Sequence, residues 1–275
     1  MGAIRDCFNR FLSANPQLNA YESIRQAVKG YRRGHTAGLV GVLVAGGASS
    51  LALSLLVSVV GYGNQGATLP ASLAASVVSM MVSNLVFAVF LARVRKERLT
   101  GDAAGRFLRL IVTQIMCAVV LSFAQTLALQ LVTELLAFNA RTAVLAQLFV
   151  STAFSMVNAV VAFRIYDGEK RFGRIFPGAL KLLGCNWMPL TMLAVLFIGW
   201  SFVANVAYAN LLSDNLSQVQ AINNVFHALL NSRDYPLLGQ VSLFYAVNYV
   251  VGGYFETYPL PGLAHLYEQD GGRSF

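Results

Sequence analysis

Hydrophobic residues occur in six long runs, and shorter polar stretches separate them. Each run holds about 20 residues with few charges, which is the length that an α helix needs to cross the roughly 30 Å hydrocarbon core of a bilayer. The pattern predicts an all-α, polytopic membrane helical bundle with six transmembrane helices. We place the spans near residues 38–62, 72–92, 107–132, 143–163, 188–208 and 241–263.

Two amphipathic segments are predicted to lie on the membrane surface. In residues 2–33, apolar positions recur at helical spacing and the other side carries basic residues, with an interruption at Asn15 and Pro16. This pattern is typical of an interfacial helix along the cytoplasmic headgroups, although a solvated cytosolic helix would show it too. Residues 216–229 have apolar positions spaced at three and four, which predicts a short external helix between spans five and six.

Glycine and proline predict local features of the spans. Gly46 begins a series of small residues at every fourth position of span one, which favours close helix packing in lipid. Pro189 lacks a backbone N–H and is expected to bend span five near its inner end. The pair Gly252-Gly253, together with Pro259 and Pro261, is expected to interrupt span six.

The distribution of charge predicts the orientation. Only 12% of the residues are charged, against roughly 25% in soluble domains. Of the 20 Lys and Arg residues, all but Arg141 and Arg233 lie in the leader, in segments 93–109 and 164–181, or in the tail. By the positive-inside rule these parts are cytoplasmic, as are both termini. The expected organisation is a leader (residues 1–36), a transmembrane domain (37–267) and a tail (268–275).

The net charge of +8 points to a lipid partner. Because the cations gather at the ends of apolar runs, we expect them to meet anionic headgroups rather than nucleic acid.

Candidate functional residues are the polar side chains inside the predicted spans. Ionisable groups are costly within a membrane and tend to be functional there. Glu256 is such a group, with either a substrate or proton role or a structural pairing with Arg164 or Arg174. Neutral amides can join helices or line a cavity. The candidate amides are Gln114, Gln125, Asn158 and Asn248.

Motifs of catalysis and cofactor binding are missing from the sequence. It contains no HExxH, GxSxG or Walker A pattern, and its three cysteines are far apart without a CxxC. We therefore expect a protein that is not an enzyme and that uses no metal or other cofactor.

Three segments together resemble a family of uncharacterised bacterial six-helix membrane proteins. They are IRQAVKGYRRGHTAGLVGVLV near the start, ALKLLGCNWMPLTMLAVLFIGW in the middle and FETYPLPGLAHLYEQ near the end. The family is related to the membrane domain that accompanies some glycerophosphodiester phosphodiesterases. The resemblance implies a location in the bacterial plasma (inner) membrane and no established activity. We do not expect the phosphodiesterase activity, since these 275 residues hold no catalytic phosphodiesterase domain.

Three functional hypotheses follow. The first is a non-enzymatic plasma-membrane protein that organises the envelope or serves another component as its membrane partner. The second is the permease subunit of an ATP-driven exporter, whose separate ATPase would contact the basic loop after span two. The candidate contact residues are Arg93, Arg95, Lys96 and Arg98. The third is a channel or lipid-handling cavity lined by the candidate amides.

Overall fold

The computed structural model of the chain describes residues 16–61, 65–97, 111–135, 140–213, 229 and 232–269. These residues form helices and contain no strand. We number the helices α1 to α8: Pro16–Gly61, Gln65–Val94, Ile111–Leu135, Ala140–Tyr166, Phe172–Cys185, Trp187–Ser213, Tyr235–Glu256 and Pro259–Gln269.

Among the described residues, four helices contain a stretch that is long and apolar enough to cross a membrane. These stretches are Ala20–Leu53, Val112–Val132, Thr142–Tyr166 and Trp187–Asn210. The all-helical character of the predicted fold is therefore confirmed for the described residues, and the four apolar stretches are compatible with a membrane protein. The surface fits the same conclusion, because many large apolar side chains are exposed along the helices, such as Val112, Phe123 and Leu131 of α3. In a bilayer these side chains face lipid rather than water.

The helix α1 joins the leader to the first predicted span without a break. Pro16 is its first residue, a position that tolerates proline because the first N–H groups of a helix have no intrahelical acceptor. Ile24 and Val28, in the predicted surface segment, are buried and pack against Gly262 of α8. Residues 2–15 of that segment lie outside the described residues, as do residues 214–228, which include most of the predicted external helix.

The helices α1, α2, α4, α6 and α7 form the centre of the bundle. The helix α1 packs along α2, α6 and α7, while α4 packs against α2 and α6; α3 lies to one side, against α2 and α4. The short α8 closes one end of the bundle, in contact with α1, α2, α4 and α6.

The expected interruption at Gly252-Gly253 was wrong. The helix α7 continues through both glycines to Glu256, and the chain turns at Thr257 and Tyr258. The turn is caused by Pro259, which disfavours a helical conformation of Tyr258 before it and cannot donate a helical hydrogen bond. Gly253 instead lets α7 approach α1, where an added Cβ would lie 3.4 Å from the Cβ of Leu43.

Pro189 does not interrupt a helix either. The helix α6 begins at Trp187, so Pro189 lies in its first turn, where a missing N–H breaks no intrahelical hydrogen bond. The chain changes direction just before it, at Asn186, whose side-chain amide donates to the carbonyl of Leu182 at 2.9 Å.

Candidate functional site

A partly polar cavity lies between the central helices. Its volume is about 310 Å³, within the range of roughly 300–1,000 Å³ that small-molecule sites occupy. The side chains that contribute to its wall come from five helices. They are Leu43, Gly46, Gly47, Ser83, Val86, Phe87, Ser155, Phe197, Trp200, Ser201, Asn248, Tyr249, Gly252, Gly253 and Glu256.

Glu256 lines this cavity from the last turn of α7. Its carboxylate has no hydrogen-bond or ion-pair partner within the described part of the chain. The expected pairing with Arg164 or Arg174 does not occur: the Arg164 guanidinium donates to the backbone carbonyl of Arg174 at 3.0 Å. The nearby Arg32 is also engaged elsewhere, donating to the hydroxyl of Thr257 at 3.1 Å.

The helical repeat explains why Asn248 lines the same cavity. It lies eight residues before Glu256 on α7, with Gly252 halfway between them, so the three positions share one face. The indole N–H of Trp200 donates to Asn248 Oδ1 at 2.8 Å. This hydrogen bond fixes the orientation of both side chains in the wall.

Aromatic rings contribute to the wall of the cavity. Phe87, Phe197, Trp200 and Tyr249 all line it, and the Trp200 ring lies 6.0 Å from the ring of Phe255. Aromatic faces carry negative electrostatic potential and attract cations, quaternary ammonium groups in particular. A carboxylate combined with aromatic walls therefore suits a small organic cation.

The remaining candidate amides lie elsewhere. Gln114 is buried in α3, Gln125 is half-buried in the same helix, and Asn158 lies in α4. None of these three lines the cavity. The buried oxygen of Asn158 has no hydrogen-bond partner in the part of the chain that the structure describes.

A cluster of charged groups lies beyond the spans, at the end of the bundle that α8 closes. The Arg95 guanidinium donates to both carboxylate oxygens of Asp167, at 2.6 and 2.9 Å, and its Nε donates to Glu268 Oε1 at 2.6 Å. The Tyr267 hydroxyl donates to Asp167 Oδ2 at 2.8 Å. We call these four residues the Arg95 cluster.

Electrostatics stabilise the cluster. Burial alone would lower the pKa of Arg95, but the hydrogen bonds and charges of Asp167 and Glu268 outweigh it and raise that pKa above its usual value. Burial and the charge of Asp167 raise the pKa of Tyr267 as well. Arg95 is therefore cationic, and Tyr267 neutral, at every pH near neutrality.

The cluster changes the picture of the predicted partner contact. The Arg95 side chain is only 4% exposed and is satisfied within the chain, so it offers no surface to a partner. Arg93 and Lys96 are exposed, while Arg98 lies outside the described residues. The sequence analysis missed that Asp167, Glu268 and Tyr267 take part in this cluster. The available signal was that Asp167 and Glu268 are carboxylates at the predicted cytoplasmic ends of spans, where arginines also lie.

The described residues contain no group of three His, Cys, Asp or Glu side chains placed to hold a metal ion. No protein-family model, curated protein or solved structure matches the chain.

Proposed function

We propose that the chain is a non-enzymatic protein of the bacterial plasma membrane that binds a small organic cation in the cavity beside Glu256. The proposal rests on one observation: a carboxylate that has no partner among the described residues lines a cavity with aromatic side chains in its wall. An unpaired charge removed from water is costly, and a bound cation would offset that cost.

In this proposal α2 and α7 complete six spans with the four long apolar stretches. The helix α7 has 22 residues, which at 1.5 Å per residue gives about 33 Å, enough to cross a bilayer. The three described regions rich in Lys and Arg meet at the end that α8 closes. This arrangement supports a cytoplasmic position for that end and for both termini.

Tryptophan fluorescence would test cation binding. The chain has two tryptophans, so Trp187→Phe leaves Trp200, in the cavity wall, as the only reporter. The probes are choline and its uncharged isostere 3,3-dimethylbutan-1-ol. We expect a saturable change with choline in reconstituted protein and at least a tenfold weaker response to the neutral isostere.

Glu256→Gln should weaken choline binding by about tenfold or more, since a neutral amide keeps the shape but removes the charge. The matched control is Glu134→Gln, at an exposed position near the end of α3, which should bind choline like the parent. Equal responses to choline and to the isostere, or unchanged binding by Glu256→Gln, would show that Glu256 is no cation site.

A second function, membrane partner of a cytoplasmic component such as the ATPase of an exporter, is favoured by Arg93 and Lys96. Both are exposed at the end that α8 closes, and neither forms an ion pair among the described residues. Copurification from native membranes should recover the component. Charge reversal at both positions should reduce that recovery, whereas reversal of Arg233, two residues before α7, should not. Failure to recover any ATPase would dismiss the exporter version.

A further inference from the structure

A second, larger groove lies on the side of the bundle, between α4 and α6, with α5 at one end. Its volume is about 520 Å³. Its wall is apolar over most of its length and includes Phe149, Met156, Leu180, Leu183, Trp187 and Ile198. The hydroxyl of Thr152, one of the few polar groups in the wall, is satisfied by the carbonyl of Leu148 at 2.7 Å.

The length of the groove matches one leaflet of a bilayer. Along α6 it extends from Trp187 to Ile198. Eleven residues at 1.5 Å each correspond to about 17 Å, and half of the hydrocarbon core is about 15 Å. The wall could therefore cover an acyl chain from the headgroup level to the middle of the membrane.

The helix α5 forms the headgroup end of this groove. It is amphipathic: Ile175, Ala179 and Leu182 are buried, while Arg174 and Lys181 are exposed on another side. Leu180, which is 59% exposed, and Trp187, which is 62% exposed, stand at the groove entrance. Such a helix typically lies in the membrane interface, and tryptophan is enriched at that level.

Two cations lie on the exposed side of α5, the helix that forms one end of the groove. Arg174 and Lys181 are seven residues apart, which is two helical turns, so they lie on one face of α5. Lys181 is one turn before Gly184, which lines the groove. Neither side chain forms an ion pair or a hydrogen bond among the described residues, so both charges are available to an anion in the interface.

We infer that this groove binds an anionic phospholipid, with one acyl chain between α4 and α6 and its phosphate headgroup at Arg174 and Lys181. Basic pockets between transmembrane helices on the cytoplasmic side are suited to such headgroups. The site is separate from the cavity of Glu256 and does not depend on the function proposed for it.

Quenching by brominated lipids would test the inference. The background is full-length protein with Trp200→Phe, which leaves Trp187, at the groove entrance, as the only tryptophan. It is reconstituted in phosphatidylcholine vesicles that receive equal fractions of brominated phosphatidylglycerol or brominated phosphatidylcholine. Because two cations attract an anionic headgroup more strongly than a zwitterionic one, we expect phosphatidylglycerol to occupy the site at least tenfold more tightly than phosphatidylcholine.

Two kinds of variant separate the headgroup from the acyl chain. Arg174→Gln with Lys181→Gln should abolish the preference while leaving quenching by phosphatidylcholine unchanged, and Lys181→Arg should retain the preference. Ala153→Phe fills the groove at an exposed position and should weaken quenching by both lipids. Arg233→Gln is the charge control and should change nothing.

Equal quenching by the two lipids in the parent would mean that only nonselective boundary lipid is present, and it would overturn the inference. A preference that survives removal of both cations would overturn it as well. Circular dichroism of each variant, compared with the parent, shows whether a loss of quenching reflects unfolding. If the double variant is unfolded, the single variants replace it: Lys181→Gln should weaken the preference for phosphatidylglycerol, and Lys181→Arg should retain it.

Discussion

Arg95 and Asp167 form a bidentate ion pair, with guanidinium nitrogens 2.6 and 2.9 Å from the two carboxylate oxygens. Arg95 follows the end of α2, and Asp167 follows the end of α4. The same guanidinium contacts Glu268 in the last turn of α8. One side chain thus connects three parts of the chain that are far apart in sequence, at the end of the bundle where the basic segments meet.

Replacing Arg95 with Gln should destabilise the protein by about 3 kcal/mol. The side chain is 4% exposed, and its removal leaves two carboxylates close together without their cation, a change that is costly at a buried pair. Thermal unfolding in detergent, followed by circular dichroism, measures the effect.

The control for this experiment is Lys96→Gln, at the next residue. Lys96 is exposed, so its replacement should change stability by no more than about 0.5 kcal/mol. If Arg95→Gln were as stable as Lys96→Gln, the Arg95 cluster would not hold the three segments together.

High pH should destabilise the protein through Tyr267. The pKa of Tyr267 is raised above its ordinary value of 10 by burial and by Asp167. Above pH 10 an unfolded tyrosine loses its proton while the folded one keeps it, so the unfolded state binds fewer protons and stability falls as pH rises. The slope is about 1.4 kcal/mol per pH unit until the folded pKa is reached.

Comparison with Tyr267→Phe isolates this contribution from other groups that titrate at high pH. The variant loses the hydrogen bond to Asp167 and should be less stable than the parent at pH 8 by about 1.5 kcal/mol. The difference between the two proteins should shrink as the pH rises from 9 to 11. A constant difference over that range would contradict the assignment.

The long helices were predictable because the signal for each is local. An apolar run of membrane length specifies its own helix, as in 143–163 for α4, and the tendency of arginine and lysine to stay on one side indicates which ends come together. The contact of Arg95 with Asp167 and Glu268 agrees with that grouping of ends.

The partners within each group were not predictable. Arg95 was one of several cations predicted to be exposed in the basic loop after span two, and the local sequence does not distinguish it from Arg93. Burial distinguishes them, and burial depends on where α4 and α8 pack. The helix α5 was missed for a related reason: Ile175, Ala179 and Leu182 have helical spacing, but the basic residues among them resemble a cytoplasmic loop.

The candidate site shows the same limit. Glu256 was identifiable as the carboxylate in an apolar run, and Asn248 shares its face through the helical repeat. Trp200 completes the cavity from α6, because glycines at 47, 252 and 253 let α1, α6 and α7 approach one another. Small residues indicate close packing, but not which helix comes near.

Gly47→Ala tests this close packing. An added Cβ at Gly47 would overlap the ring of Tyr249, so the two helices must separate or the ring must move. Overpacking of this kind costs about 1–3 kcal/mol, and the shifted ring would also reshape the cavity of Glu256. Thermal unfolding measures the first effect, and choline binding to the Trp187→Phe background measures the second.

The matched control is Gly41→Ala, on the same helix, where an added Cβ meets nothing within 4 Å. It should be neutral or stabilising, since alanine favours a helix over glycine by about 1 kcal/mol. Combining Gly47→Ala with Tyr249→Ala should recover part of the loss. Equal stability of the two glycine variants would mean that α1 and α7 are not in close contact.

The orientation of the bundle is tested by cysteine labelling from outside the cell. In a background in which the three native cysteines are replaced by serine, Lys170→Cys should resist a membrane-impermeant maleimide until the membrane is opened. Ser232→Cys, just before α7, should react in intact cells, because it lies near the opposite end of that helix from Glu256. The expectation rests on the cost of moving Lys170 and the cations of α5 across the bilayer. Labelling of position 170 from outside, with protection of position 232, would show that the orientation is inverted. The inner side proposed for the headgroup site and for Arg93 and Lys96 would then be wrong.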